Sequence, residues 1–330
     1  MRLASLWYGS HPLSIILLPL GGLFRVLVAV RRYAYKTGVL RSHKLPVPVI
    51  VVGNITVGGT GKTPLVIWLV DVLRKAGHRP GVVSRGYGGN ASTWPQLVDA
   101  DSDPGAVGDE PVLIARRTEC PVAVAPRRVE AARRLIADFA CDVIVCDDGL
   151  QHYALDRDVE IAVIDGERRL GNGRCLPAGP LRETAARLRS VDVTVINGAA
   201  SSGECGMRLA GTLAQSLGDP RLEHELAEWR GSTVHGVAGI GNPGRFFAYL
   251  REQGLTVVEH AFPDHHGFEA EDLRFGDDLP VIMTEKDAVK CRGFAGPLHW
   301  YVPVSAHIDG ACQQRLQRLL MNILGRYSDE

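Results

Sequence analysis

Short apolar runs alternate with longer amphipathic segments over the first two thirds of the chain. Residues 62–76 and 127–140 repeat their apolar positions with helical spacing. Strands that alternate with helices form a mostly parallel sheet covered by helices on both faces, so the pattern predicts an α/β fold. The runs rich in β-branched residues, typical of buried strands, cover residues 47–53, 80–84, 121–125, 141–148, 159–165 and 191–197.

The alternation weakens after residue 198 and then resumes. Residues 199–231 are rich in Ser, Gly and scattered polar side chains, which predicts an inter-domain connection. We therefore expect a larger α/β domain over residues 45–198 and a smaller one over residues 232–330. The elements predicted for the smaller domain are a strand, turn and helix over 233–254, strands at 255–262, 279–284 and 299–304, and a final helix at 309–324.

Residues 1–44 form an arm that differs from both domains. Its apolar stretch over residues 12–30 contains one charge, Arg25, and a basic pair follows it. Arg25, Arg32 and Lys36 are spaced for one helical face, which favours a helix lying on an anionic membrane surface. A spanning helix fits the length, although Arg25 within it is costly, and a helix covered by the rest of the protein is a third interpretation. A cleaved signal peptide would carry its charge before the apolar core.

Charge and cysteine content narrow the class of protein. The 37 basic and 37 acidic side chains balance, so bulk charge indicates no nucleic-acid partner. Asp71 is the first acid in the chain, so the arm carries a net positive charge, and the rest of the chain carries the negative charge that balances it. The seven cysteines are scattered without a C-x-x-C pair, which argues against a disulfide framework or a zinc site and favours a reducing compartment. We expect most of them to be small core residues.

The most informative stretch joins the first strand to the first helix of the larger domain. Residues 49–52 read VIVV, and residues 56–63 read TVGGTGKT. The backbone N–H groups of such a loop, together with the following helix N-terminus, form a cradle for phosphate. Lys62 would reach the outer phosphates and Thr63 would hold Mg²⁺, although Thr56 stands where the standard P-loop pattern has glycine. The predicted phosphate-binding residues are Thr56, Val57, Gly58, Gly59, Thr60, Gly61, Lys62 and Thr63.

Acidic side chains follow other predicted strands. Asp147 and Asp148 end the segment CDVIVCDD, in the arrangement by which a P-loop protein presents a carboxylate to a bound metal. Two acids in a turn are the alternative, but the P-loop upstream favours a nucleoside triphosphate site. In PAGPLRE, Arg182 would meet a phosphate, and Glu183 would bind the metal directly or through a neighbour, or only balance charge at a helix N-terminus.

Three further segments carry titratable side chains. Asp109 opens the segment DEPVLIARR, where it either caps a helix or acts as a general base assisted by an imidazole. Asp264, His265 and His266 close a predicted strand, and metal ligation there has no supporting ligand cluster. The sequence TEKD at 284–287 is close to a guanine-reading motif, but its lysine is one place late. That shift argues against a GTPase and leaves a turn with internal salt links as the simplest interpretation.

Together these segments resemble one family, the bacterial tetraacyldisaccharide 4'-kinases of lipid A biosynthesis, which are P-loop kinase-like. They occur in the family's order and span most of the chain. The family's loop also lacks the first glycine of the standard pattern, so Thr56 supports the resemblance, whereas Leu150 stands where many relatives have Phe. The segments are VGNITVGGTGKTP (52–64), SRGYGG (84–89), VGDEPVLIA (107–115), DDGLQH (147–152), PAGPLRE (177–183), FPDHH (262–266) and TEKDAVK (284–290).

The resemblance implies a reaction and a role for each matching residue. ATP, with Mg²⁺, would donate its γ-phosphoryl group to the 4'-hydroxyl of a tetraacyldisaccharide 1-phosphate, giving the 4'-phosphorylated lipid A precursor, lipid IVA. Asp109 would be the base, assisted by His265 across an inter-domain cleft, and Lys62 would be the third catalytic residue. The implied metal-binding residues are Thr63, Asp147, Asp148 and Glu183, and the implied substrate or auxiliary residues are Tyr87, Arg128, His152, Arg182 and Asp264.

The resemblance also implies where the protein works and with what. Its partners would be the lipid substrate and an anionic membrane surface, with no nucleic acid and no protein partner. It would be peripheral or monotopic at the cytoplasmic face of the bacterial inner membrane. Two other classes stay open from the residues alone: a P-loop regulatory ATPase or GTPase of the metal-insertion type acting through a protein partner, and a membrane-tethered binding module.

Overall fold

The computed structural model describes residues 3–9 and 11–328 of the chain. The predicted arm and the predicted C-terminal domain also include residues 1, 2, 10, 329 and 330, which lie outside the described residues. In the described part, the strands form two sheets, and each sheet with its helices makes one domain.

The first domain is built on a sheet that has nine strands within the described residues. In chain order these are β1 (Val49–Gly53), β2 (Pro80–Ser84), β3 (Gln96–Val98), β4 (Val122–Val124), β5 (Val143–Asp147), β6 (Val159–Asp165), β7 (Val193–Asn197), β8 (Cys205–Ala210) and β15 (Ser305–Ile308). The spatial order is β15-β8-β7-β6-β1-β5-β2-β4-β3, and the edge strands β3 and β15 run antiparallel to their neighbours while the other pairs are parallel. The acids that end β5 therefore lie beside the loop that leaves β1.

Helices cover both faces of this sheet. Ile50 and Val52 of β1 belong to one apolar cluster, and Val49 and Val51 belong to another on the opposite face. This two-sided burial explains why the central strands read as continuous apolar runs. The α-helices of the described residues, in the arm and in both domains, are α1 (Leu3–Tyr8), α2 (Leu13–Ile16), α3 (Leu18–Lys36), α4 (Lys62–Lys75), α5 (Pro104–Val107), α6 (Asp109–Thr118), α7 (Arg128–Phe139), α8 (Pro243–Glu252), α9 (Glu285–Cys291) and α10 (Gly310–Ser328).

The second domain is built on a sheet with six strands in the part of the chain that the structure describes. They are β9 (Leu213–Ser216), β10 (Glu223–Glu225), β11 (Thr233–Ala238), β12 (Thr256–Ala261), β13 (Val281–Thr284) and β14 (His299–Val302). Their order is β10-β9-β14-β13-β11-β12, with β14, β13, β11 and β12 parallel. The predicted α/β fold with a smaller second domain is confirmed.

The domain boundaries differ from the predicted ones. Residues 199–231 are more than a connection, because they contain β8, β9 and β10. The chain also returns to the first domain at its end, where β15 pairs with β8 and α10 packs into the cluster that contains Val193. The sequence pattern hides these strands because they are short and at least partly exposed along their length.

The predicted helix of the arm is present as α3, but its apolar side chains are not covered. Leu20, Leu23, Leu27 and Val30 are each more than half exposed, while Gly21 packs on the carbonyl oxygen of Cys175. This exposure contradicts the interpretation of a helix enclosed by the rest of the protein. Among the described residues, no helix is both long enough and apolar enough to cross a membrane.

The cysteines follow the prediction with one exception. Cys120, Cys141, Cys146, Cys175 and Cys291 are free and buried, as expected of small core residues. Cys205 of β8 and Cys312 of α10 form a disulfide, which the spacing did not predict because 107 residues separate the two. This bond joins the last helix to the edge of the larger sheet.

Candidate active site

The loop after β1 has the geometry of a phosphate cradle. Gly58 and Gly61 have φ of 95° and 88°, a backbone region that favours glycine. At Gly61 there is also no room for a side chain, because a Cβ would lie 2.3 Å from Nδ2 of Asn197. Asn197, at the end of β7, donates from that nitrogen to the carbonyl oxygen of Thr60 at 3.0 Å. The neighbouring strand therefore holds the loop in shape.

The structure explains why the first loop position tolerates threonine. Thr56 forms an antiparallel bridge with Leu181, and the N–H of Val57 donates to the carbonyl oxygen of Pro180 at 2.9 Å. Thr56 keeps a negative φ, so the backbone there does not require glycine. The segment 177–183 thus supports the start of the loop, which connects two motifs that are far apart in the sequence.

Lys62 and Thr63 are the first residues of α4 and are both buried. The ammonium of Lys62 lies 3.5 Å from Oδ1 of Asp148, which follows the end of β5. Arg182 donates to both carboxylate oxygens of Asp148, at 2.9 and 3.2 Å. Although burial acts in the opposite direction, Lys62 and Arg182 lower the pKa of Asp148 and keep it ionised. Its φ of 47° is a strained value for a residue other than glycine, a feature common at functional sites.

Asp147 is the carboxylate that is available for a cation. It is fully buried, and its Oδ2 accepts a hydrogen bond from Ser84 at 3.3 Å, but its Oδ1 has no hydrogen-bond partner among the described residues. Burial, reinforced by the carboxylate of Glu110, raises the pKa of Asp147 to about 7. An orphaned carboxylate oxygen on a side chain that interacts with Lys62, the residue before Thr63, fits Mg²⁺, which typically binds through one or two carboxylates plus substrate phosphates.

The other predicted metal-binding residue, Glu183, is engaged elsewhere. Its two carboxylate oxygens accept hydrogen bonds from Gln151 at 2.8 Å and from Tyr153 at 2.5 Å. Each carboxylate oxygen keeps a second lone pair, so these hydrogen bonds do not by themselves prevent Glu183 from binding a metal. No group of three His, Cys, Asp or Glu side chains in the described residues is arranged to hold a metal by itself. The metal would therefore depend on the nucleotide for most of its ligands.

Two predicted auxiliary residues, Arg128 and His152, lie near Asp148. Arg128 is buried and donates to the carbonyl oxygen of Asp148 at 3.1 Å, while its Nε has no partner among the described residues. Burial, followed by the charges of Arg128 and Arg157, lowers the pKa of His152 to about 3, so this imidazole is neutral at physiological pH. His152 can then serve as a neutral hydrogen-bonding group near anions.

The second cluster brings Asp109 and His265 together across the domain boundary. Asp109 is the first residue of α6, and Gly108 occupies the N-cap position, so Asp109 is not itself the cap. Nδ1 of His265 lies 3.1 and 3.2 Å from the two carboxylate oxygens of Asp109. Burial acts to raise the pKa of Asp109, but its hydrogen bond with His265 and the nearby positive charges lower it. The same hydrogen bond raises the pKa of His265, although burial acts to lower it. His265 also has a positive φ, 61°.

The residues around this pair support the choice of His265 over its neighbour. His266 turns away and pairs with Asp272 at 2.9 Å. The exposed ring of Tyr87 lies 5.0 Å from the ring of His265. Asp264 lies 3.8 Å from Nε2 of His265. Tyr87 and His265 border a cavity of about 290 Å³ next to Asp109.

A glycine-rich turn of the second domain closes on the phosphate cradle. Gly241 lies so near the cradle that a Cβ there would be 2.3 Å from the backbone nitrogen of Gly59. Arg168 of the first domain donates to the carbonyl oxygen of Gly241 at 2.6 Å. The cavity between them, about 220 Å³, is lined by the cradle, by Glu110 and by apolar side chains of both domains that include Ile240 and Tyr249.

Several residues of the site were missed from the sequence. The turn is GIGNPG (239–244), a G-x-G-x-x-G sequence between a strand and a helix, and that spacing was a usable signal. Asn197 and Arg245, whose Nη2 lies 2.9 Å from Oδ1 of Asn197, gave no such signal. The structure thus brings together Lys62, Thr63, Asp147, Asp148 and Arg182 in one cluster, and Asp109, His265, Asp264 and Tyr87 in another.

The fold and these two clusters define a P-loop phosphotransferase with a second domain over its active site. The family described as tetraacyldisaccharide-1-P 4'-kinase matches residues 13–321. The tetraacyldisaccharide 4'-kinase of Nitrosococcus oceani is 54% identical over 314 residues, 95% of this chain and 93% of that protein. The one from Methylobacillus flagellatus is 50% identical over 320 residues, 96% and 95% of the two chains. The chain belongs to the tetraacyldisaccharide 4'-kinase family, which confirms the resemblance.

A solved structure supports the same assignment. The LpxK of Aquifex aeolicus, crystallised in complex with ATP, matches with a TM-score of 0.78 and 28% identity. The match covers 94% of this chain and 99% of that one. Both domains therefore follow the architecture of that kinase.

Proposed function

We propose that the protein transfers the γ-phosphoryl group of ATP to the 4'-hydroxyl of a tetraacyldisaccharide 1-phosphate, giving lipid IVA. The observation that carries this proposal is a pair of adjacent cavities. One is bordered by the phosphate cradle, Glu110 and Lys286, and the other by Asp109 and His265. A donor phosphate and an acceptor hydroxyl held in the two cavities would meet at Asp109 and Glu110.

On the donor side, the cradle and Lys62 bind the phosphates of ATP. The apolar lining contributed by Ile67, Ile240 and Tyr249 suits the adenosine moiety. Thr63 and Oδ1 of Asp147 would hold Mg²⁺, which neutralises charge on the transferring phosphoryl group when it is bound. Arg182 and Lys62 keep Asp148 ionised and in place beside that site.

On the acceptor side, the oxygen of the 4'-hydroxyl bonds to the γ-phosphorus, and Asp109 accepts the proton of that hydroxyl. The bond between the γ-phosphorus and the β-γ bridging oxygen breaks in the same step. His265 orients the carboxylate through Nδ1 and shares the proton. ADP leaves with the bridging oxygen. Closure of the second domain over the cradle keeps water from taking the place of the lipid hydroxyl.

A labelled-phosphate assay tests the proposal. Purified protein is incubated with γ-labelled ATP, Mg²⁺ and tetraacyldisaccharide 1-phosphate in detergent, and the label is followed into the lipid. The expected result is a 4'-phosphorylated lipid, with little ATP hydrolysis when the lipid is omitted. Equal hydrolysis with and without lipid, and no labelled lipid, would favour the regulatory ATPase alternative.

We also propose that α3 holds the protein on an anionic membrane surface, at the cytoplasmic face where ATP is supplied. The apolar face of α3 is exposed, and Arg25, Arg32 and Lys36 line one cavity of about 440 Å³ with Arg187. Substituting Leu23→Gln and Leu27→Gln together should reduce sedimentation with phosphatidylglycerol vesicles and leave ATP binding intact. Unchanged sedimentation would exclude α3 as the membrane contact.

A further inference from the structure

The segment TEKDAVK, which the sequence left as a simple turn, contributes two lysines to the catalytic pair. It forms the end of β13 and most of α9 in the second domain. Lys286 and Lys290 are four residues apart, so they project from the same face of the helix. Both ammonium groups approach Oδ2 of Asp109 in the first domain, at 3.9 Å for Lys286 and 3.8 Å for Lys290.

Lys286 is the centre of a group that joins the two domains. Its Nζ lies 3.1 Å from Oε1 of Glu110 and 3.1 Å from Oδ1 of Asp264, in addition to its approach to Asp109. The preceding residue, Glu285, binds Arg117 of α6 at 2.8 and 3.0 Å. These contacts fix the position of α9 against α6, and with it the distance from Lys286 to the carboxylate.

The charge balance around Asp109 shows why the lysines matter. Asp109 is buried, and three other carboxylates belong to the same cluster. Burying a carboxylate among other carboxylates disfavours its ionised form. Lys286 and Lys290 offset that effect, and Lys290 is itself shared with Asp287 at 2.9 Å. The titratable groups of the cluster are Glu110 of α6, Tyr87, Asp264 and His265 from loops, and Lys286, Asp287 and Lys290 of α9.

We propose that Lys286 and Lys290 are positioning residues that, when the second domain is docked, hold Asp109 as an ionised carboxylate aligned with His265. This inference rests on the proposed function, in which Asp109 is the base. The second domain then supplies the imidazole and also the charge that keeps the base deprotonated. In the undocked state Asp109 would lose both, so proton removal would be restricted to the closed enzyme.

The electrostatic environment of each group agrees with this arrangement. Although burial acts to raise it, the pKa of Asp109 is lowered by His265 and by the two lysines. Although burial acts to lower it, the pKa of Lys286 is raised by Glu110, Asp109 and Asp264, so this ammonium stays charged. Lys286 also opposes the rise in the pKa of His265. Removing its charge should therefore raise the pKa of both members of the pair.

The test is the pH dependence of kcat/KM for lipid phosphorylation in Lys286→Gln, Lys286→Arg and the wild type. Loss of the charge should move the acid limb of the Lys286→Gln profile up by about one pH unit. Below that limb the variant should be about tenfold slower than the wild type, and the two should converge at higher pH. Lys286→Arg, which keeps the charge, should restore the midpoint.

Controls separate this role from a structural one. Lys75→Gln, an exposed lysine of α4 paired with Asp71, should leave the profile unchanged. If Lys286→Gln does not fold, Lys290→Gln should give a smaller shift in the same direction. A loss by the same factor at every pH, or an unshifted profile, would overturn the proposal.

A readout without catalysis distinguishes this inference from the proposed function. The pKa of His265, followed by NMR of its ring protons, should be higher in Lys286→Gln than in the wild type. A wild type that labels no lipid would refute the function. A wild type that labels lipid, with unchanged His265 titration and pH profile in Lys286→Gln, would refute only the inference.

Discussion

The donor side of the cleft is made largely of backbone, whereas the acceptor side is made of charged side chains from two domains. The cradle depends on Gly58, Gly61 and the N-terminus of α4, which are close in the sequence. The base depends on Asp109 meeting His265, 156 residues further along. A local backbone form can be encoded in one short motif, but a charge cluster exists only after two domains have docked. Substitutions on the two sides should therefore have different effects on kcat and on substrate affinity.

The largest effect is expected on the acceptor side, from Asp109→Asn. This change keeps the shape of the side chain and removes the base, so kcat should fall on the order of 10³-fold with little change in KM for the lipid. Steady-state kinetics measure both. Asp138→Asn, an acid on α7 that pairs with Arg134, is the control and should be silent. A rise in KM alone would mean that Asp109 binds the acceptor and takes no proton.

A smaller loss is expected on the donor side, from Lys62→Ala. Lys62 is one of several groups that stabilise charge on the phosphates, so kcat should fall on the order of 10²-fold. ATP affinity, measured by calorimetry, should fall as well, which is the contrast with Asp109→Asn. Lys75→Ala supplies the matched control at the other end of α4. Unaltered ATP affinity would show that the backbone alone holds the nucleotide.

The contact between the two domains is tested by Gly241→Ala. A methyl group there would meet the backbone nitrogen of Gly59 at 2.3 Å, so the turn must move away from the cradle. KM for ATP should rise about tenfold, which corresponds to ~1.4 kcal/mol. Gly244→Ala is the control, because a Cβ there meets only Oδ1 of Asn242 at 3.9 Å. Equal kinetics for the two variants would show that the closed contact is not used in turnover.

The smallest expected effect is on stability, from the pair of Asp109 with His265. Because the pKa of Asp109 is lowered, its carboxylate stabilises the folded state, and this stabilisation is lost as pH falls through the pKa of the folded protein. Because the pKa of His265 is raised, its imidazolium also stabilises the folded state. This stabilisation is fully present below the pKa of the unfolded chain and is lost as pH rises through the pKa of the folded protein. His265→Asn should therefore cost about 1 kcal/mol between roughly pH 4 and 6.5 and almost nothing at pH 9.

Thermal unfolding at pH 5.5 and at pH 9 measures this difference. The exposed His307, on the edge strand β15, provides the comparison, and His307→Asn should have the same effect at both pH values. A cost for His265→Asn that does not change with pH would show that the imidazole packs in its site without an ionic role.

The sequence was sufficient where structure depends on near neighbours. The bounds of β2 and β6 coincide with the predicted ones, and the cradle lies where its glycines indicated. It was insufficient where a segment takes its structure from a distant partner. β15 is a strand because it pairs with β8, about a hundred residues earlier, and neither has a continuous apolar run. The disulfide between Cys205 and Cys312 depends on the same return of the chain.

The site shows the same division. Lys62, Thr63, Asp147 and Asp148 were predictable because strand ends and a glycine-rich loop point to one edge of a parallel sheet. The contacts of Lys286 were not predictable, because its carboxylate partners Asp109 and Glu110 belong to the other domain. A lysine beside acids in its own segment indicates local salt links, and only the docked structure shows that it binds across the cleft.

Two consecutive residues of α9 contact different parts of the molecule, and this has a thermodynamic consequence. Lys286 reaches the carboxylates of the first domain, while the fully buried Asp287 accepts from the backbone nitrogen of Gly239, two residues before Gly241 at the cradle. A shift of this one short helix would change the binding sites of both substrates. Binding of ATP and binding of lipid should then be reciprocally linked, so that each changes the affinity of the other by the same factor.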